Sequence, residues 1–226
     1  MAIVPISTTR LLPLIKKPIF WAVFICALVH VSGAIGMVFF NRQAFLELTA
    51  VNLLLMFTLL YWIEERITAA LLYSLAVIFI TGVVTEIIGV NTGLLFGSYV
   101  YGDFFGPKFL GVPLVIGINW FCIVYCSFVV VAKWLRNRRY LFFAVPFFSS
   151  LLATAFDWVM EPVAVALNFW TWEGGHIPLL NYASWFVITF LLVVIMRVLK
   201  APASNQFAIF LLLIQAFFFI FLRIAL

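Results

Sequence analysis

Apolar residues in this chain come in long unbroken runs rather than in the short alternations of a water-soluble fold. Runs near residues 18–39, 44–62, 67–89, 112–133, 140–160, 183–199 and 206–225 each approach the roughly 20 residues that an α-helix needs to cross a bilayer. Short polar links join them. The pattern predicts an all-α, polytopic membrane helical bundle of about seven transmembrane helices, with residues 1–226 forming a single integral-membrane domain. Basic residues precede the first run, but no small-residue cleavage site follows a short apolar core, so it reads as a retained helix rather than a signal peptide.

Composition agrees with the pattern. Of 226 residues, 67% are hydrophobic and 9% charged, with a mean hydropathy of +1.24, whereas about a quarter of the residues of a soluble domain are charged. Lys and Arg are retained on the cytoplasmic side. A cytoplasmic N-terminus puts Arg10, Lys16, Lys17, Arg66, Lys133, Arg136, Arg138, Arg139, Arg197 and Lys200 inside, and leaves Arg42, Lys108 and Arg223 outside. This asymmetry accounts for the net charge of +5. The Arg136–Arg139 cluster is then an anchor beside anionic headgroups, membrane lipid is the expected surrounding, the plasma membrane the expected location, and no nucleic-acid partner is expected.

The scarce residue types exclude further classes. With only His30 and His176, neither a zinc-protease motif nor the multi-histidine boxes of a di-iron hydroxylase can be assembled. Cys26, Cys122 and Cys126 fall inside predicted helices and read as packing residues, since an i, i+4 pair on one helix makes no favourable disulfide. No metal site and no cofactor are expected.

Polar residues are concentrated instead. The segment Glu86–Asp103 brings two carboxylates, four glycines and two tyrosines together, and it lacks the Lys-Ser/Thr of a phosphate-binding loop. In the predicted topology Glu86 lies near the outer end of the third helix, about one turn before Gly89, and Asn119 in the outer part of the fourth. Asp157 and Glu161 close the fifth helix on one face, with Pro162 stopping it. His30 and Asn52 are placed in the middle to outer parts of the first two helices. The inner half reads as plain packing. An intramembrane carboxylate costs about 3 kcal/mol or more and is normally paired, protonated or functional. The ordinary alternative is that Glu86 pairs with Lys108 or an amide, and that Asp157 and Glu161 mark a helix end among headgroups.

A second loop, residues 168–185, carries Trp170, Trp172, Tyr182 and Trp185. An interfacial aromatic belt is one reading. Their density, and the turns expected at Gly174-Gly175 and Pro178, favour rings folded back toward Asp157 and Glu161. Aromatic faces stabilise cations by roughly 0.5 to 2 kcal/mol. Acids beside such a wall suit carbocation chemistry.

The ordered series Glu86-x-x-Gly89-x-x-x-Gly93-x-x-Phe96-Gly97-x-Tyr99-x-Tyr101, then Gly111-Val-Pro113 with Asn119-Trp120, then Asp157-x-x-x-Glu161-Pro162, then Trp170-x-Trp172 with Pro178, Asn181 and Trp185, resembles the membrane carotenoid hydratase family. The resemblance covers about residues 67–190; the first two helices and the last match only as hydrophobic spans. It implies a carotenoid biosynthesis enzyme, a cofactor-independent hydratase that adds water across the terminal C1'–C2' double bond of an acyclic ψ-end carotenoid. Carotenoid and water are then the partners. Acid catalysis would protonate C2', form the tertiary cation at C1' and let water capture it. Asp157 is the expected general acid with Glu86 as the water-activating partner, or the reverse. Glu161, Asp103, Asn119, Tyr99 and Tyr101 are expected as their hydrogen-bonding partners. Trp120, Trp158, Trp170, Trp172, Trp185 and Asn181 are expected to line the substrate. Two rivals stand beside this: a transmembrane lycopene cyclase using the same protonation, and a carotenoid-binding scaffold or transporter. The absence of a clear internal repeat argues against a transporter.

Overall fold

A computed structural model describes residues 17–136 and 142–226. Arg10, Lys16, Arg138 and Arg139, invoked above for orientation, lie outside the described residues. Among the described residues eight α-helices follow in order: α1 (Pro18–Phe39), a short α2 (Arg42–Leu46), α3 (Thr49–Ile63), α4 (Ala69–Thr92), α5 (Val115–Trp134), α6 (Ala144–Ala166), α7 (Leu179–Leu199) and α8 (Phe207–Ala225). The protein is an integral membrane helical bundle. Six segments among the described residues are long and apolar enough to cross a bilayer, with α2 and α3 counted as one.

The fifth of the seven expected spans, α6, is 23 residues long but falls outside that set. Ser149, Ser150, Asp157 and Glu161 dilute its apolarity, and all four are buried. Pro162 does not stop it. The helix runs on to Ala166 with Pro162 inside. A proline there removes one backbone bond, to the carbonyl of Trp158, and packing of α6 against α5, α7 and α8 holds the helix through it.

The centre of the bundle is α5. It contacts α3, α4, α6, α7 and α8, and 78% of its most apolar stretch is buried, against 22–33% for the other five spans. Those others turn one face inward and present large apolar side chains outward, such as Phe24 and Leu28 on α1 or Val187 and Leu191 on α7.

At one end of the bundle the loops form two small antiparallel ladders that an all-helical reading misses. Strand β1 (Tyr99–Tyr101) pairs with β4 (Trp170–Trp172), with Tyr99 opposite Trp172 and Tyr101 opposite Trp170. Strands β2 (Lys108–Phe109) and β3 (Val112–Pro113) form a hairpin, whose two loop residues, Leu110 and Gly111, both have positive φ, as a right-twisted two-residue turn requires. Helix α4 hands over to this region at Gly93, which caps it in the left-handed conformation, φ 68°.

The opposite end is more than plain packing. The Glu64 carboxylate accepts hydrogen bonds from Tyr125, from Ser204 at 3.3 Å and from Asn205 at 3.1 Å. These tie the end of α3 to α5 and to the α7–α8 loop.

One glycine sets the spacing between α4 and α5. A Cβ on Gly82 would lie 2.6 Å from the Trp120 ring, and that ring is fixed by stacking on Trp185 at 3.8 Å, 5° from parallel. Gly82→Ala is therefore expected to cost about 1–3 kcal/mol, the usual penalty for overpacking. Thermal unfolding of the purified variant in detergent measures it.

Candidate active site

Three carboxyl groups from two helices line one small pocket at the ladder end. Glu86 comes from α4, and Asp157 and Glu161 from α6, where a spacing of four residues puts them on one face. All three are at least 95% buried. The pocket has a volume of about 30 Å³, and its described lining contains no Lys, Arg or His.

Their hydrogen-bond partners differ. One Glu86 oxygen, Oε2, accepts from the hydroxyls of Tyr99 and Tyr101, the latter at 2.8 Å, and Oε1 accepts from Trp120 Nε1 at 2.9 Å. Glu161 Oε2 accepts from Trp170 Nε1 at 2.9 Å and Trp172 Nε1 at 3.0 Å. The Asn181 amide on α7 bridges the α6 pair, donating to Asp157 Oδ2 at 2.8 Å and Glu161 Oε1 at 3.3 Å. Glu86 and Glu161 are thus each met by three donors. Asp157 is met by one, and its Oδ1 is buried with no partner among the described residues.

The ladder explains why these donors converge. Residues two apart on a strand point to the same side, so β1 presents Tyr99 and Tyr101 together and β4 presents Trp170 and Trp172 together; all four are buried, while Val100 and Thr171 are exposed. Burial, then the charge of Glu86, pushes both phenols above their ordinary value, so they remain O–H donors. The Tyr99 and Trp172 rings touch at 4.8 Å between centroids. Trp120 and Trp185 form the stacked pair on the other wall.

Most of the expected site residues are therefore brought together: Glu86, Tyr99, Tyr101, Asn119, Trp120, Asp157, Glu161, Trp170, Trp172, Asn181 and Trp185 all line this pocket. Two expected residues are not. Asp103 is exposed and ion-paired with Lys108 at 2.8 Å, and the Lys108 ammonium holds its carboxyl below the ordinary value. Lys108 consequently serves Asp103 and the carbonyl of Tyr101 rather than Glu86. Trp158 is half exposed beneath the Arg223 guanidinium, 4.7 Å from its ring centre. Three apolar residues, Phe96, Ile116 and Met160, complete the lining. Met160 carries a legible signal, since it shares the α6 face with Asp157 at i+3.

Fold and site together define a polytopic integral membrane protein that buries a carboxyl cluster within a cage of indoles and phenols. Residues 42–226 match the family of carotenoid biosynthesis proteins, and the chain belongs to that family. The match reaches beyond the 67–190 region of the motif series, taking in α2, α3 and α8. The chain is similar to the bisanhydrobacterioruberin hydratase of Haloarcula japonica, 35% identical over 107 residues. That similarity covers 45% of this chain and 36% of the relative, so the chain spans about a third of the curated protein it matches. No solved structure matches the chain.

Proposed function

We propose that the chain is a hydratase acting on an acyclic carotenoid end group, with Asp157 as general acid. The observation that carries this is the unequal treatment of three carboxyls in one pocket. Glu86 and Glu161 each meet three donors, as suits anions, whereas Asp157 lines the same pocket with one oxygen that has no partner among the described residues, as suits the group that carries a transferable proton. The name of the Haloarcula relative supports the same reaction type.

Proton transfer from Asp157 to C2' of the ψ-end leaves a tertiary cation at C1'. The two carboxylates and the faces of the surrounding rings stabilise it. A water molecule forms the C–O bond at C1' and gives its proton to Glu86. Return of that proton to Asp157 through an incoming water, once the product has left, restores both groups, and the net change is addition of one water across the double bond. An open hollow of about 520 Å³ at the ladder end, lined by Asn91, Ser98 and Glu173 among others, shares Tyr99 and Trp172 with the carboxyl pocket and supports a supply of water from that side.

Expression in a host that accumulates lycopene, followed by mass spectrometry of extracted pigments, tests the proposal. The expected product is heavier than its precursor by one water. An isomeric product would show cyclisation instead, and unchanged pigment from well-expressed protein would sink the hydratase reading for this substrate class.

A further inference from the structure

The carboxyl pocket has about 30 Å³, roughly twice the 10–15 Å³ that one ordered water needs by the same measure. It accommodates a reacting water beside the last carbons of a chain, and the rest of a rod-like polyene must lie elsewhere. Beside it is a second cavity of about 280 Å³ that shares four wall residues with it, Ile116, Asn119, Met160 and Trp170. At its far side this cavity is bounded by His30 and Phe218, whose rings meet edge to face at 5.4 Å. The same two residues also line an apolar groove of about 330 Å³ between α1 and α8. That groove is framed by the exposed side chains of Val31, Ile35, Phe217 and Phe221. Groove, cavity and carboxyl pocket are therefore consecutive compartments with common walls.

We infer that the carotenoid enters sideways from the bilayer between α1 and α8, past His30 and Phe218, and that the 280 Å³ cavity seats the polyene behind its reacting end. This deepens the hydratase reading by giving its substrate a path and a resting place. The outer compartment suits a substrate dissolved in lipid. Helix α1 forms one wall of the cavity with Val29, Gly33 and Met37, four residues apart and so on one face. Gly33 leaves that wall bare: a Cβ there meets only Phe218, at an ordinary 3.7 Å. A large side chain at this position is accepted by the backbone and occupies the space assigned to the polyene.

The test uses full-length protein in lipid nanodiscs and lycopene as the probe. Quenching of tryptophan emission and co-purified pigment report binding, and pigment mass reports turnover. Gly33→Trp, and Val29→Trp one turn away as a second filling variant, are expected to weaken lycopene binding by at least about tenfold, because pocket ligands bury most of their surface. Leu28→Trp, on the exposed lipid face of the same helix, controls for an added indole on α1 and is expected to bind as wild type. If wild type binds lycopene without hydrating it and the filling variants lose binding, the channel stands and the hydratase reading falls alone. If both filling variants fold and bind like wild type, or wild type binds no lycopene, the channel is wrong whatever the chemistry.

Discussion

Asp157→Asn is expected to lower the yield of hydrated carotenoid by about 100-fold or more, since a positioned general acid contributes roughly 10² to 10⁴ in rate. The substitution is nearly isosteric. Its carbonyl oxygen can still accept the Asn181 bond now made to Oδ2, while its amide occupies the place of the unpartnered Oδ1. An amide supplies no transferable proton to an alkene. Folding should therefore be kept, with a melting temperature near that of wild type and unchanged membrane yield. Pigment mass spectrometry and thermal unfolding, run side by side, check the two halves. Wild-type turnover by this variant would place the acid elsewhere.

Glu86 separates chemistry from stability by a different pair of substitutions. In Glu86→Gln the amide oxygen can face Trp120 Nε1, a donor only, and the NH₂ can face the two phenols, whose oxygens also accept. All three contacts then survive with donor and acceptor exchanged at the tyrosines. The fold should hold while the basic oxygen for the water proton is lost, with turnover down by about 100-fold or more. Glu86→Leu leaves three buried donors unmatched, Tyr99, Tyr101 and Trp120, at about 1–3 kcal/mol each. A loss of several kcal/mol follows. Adding Tyr99→Phe to Glu86→Leu should restore part of it, because one orphaned hydroxyl is removed. Full additivity in thermal unfolding would show that the hydrogen bonds of this cage contribute little.

Much of this arrangement is legible along the chain. Hydrophobic run length gives the helices, and the four-residue spacing of Asp157 and Glu161 gives their common face. The same helical rule turns Trp158, one residue and about 100° away, out of the site, so its exposure was also readable. Pro162 misleads because a local rule against proline in helices is overridden by packing on three neighbours. Asp103 is harder. It continues the alternation of Tyr99 and Tyr101, yet the strand ends at Tyr101 and Lys108, five residues on, captures the carboxyl. No local pattern announces that capture.

The pairing of Tyr99–Tyr101 with Trp170–Trp172 joins segments some 70 residues apart in sequence, and short-range periodicity carries no information about a partner so distant. That pairing delivers four side-chain donors to two carboxylates and leaves the third with a free oxygen. The sequence by itself therefore determined a lipid-embedded helical bundle, because burial in hydrocarbon depends on run length and composition. It also determined which carboxyls share a helix face, because helical geometry is local. Only the tertiary structure decided which carboxyls meet three donors, which one keeps an oxygen without a partner among the described residues, and which cavity lies beside them. Hydrogen bonds and cavities are properties of groups brought together from α4, α5, α6, α7 and both ladder strands, and no single segment encodes them.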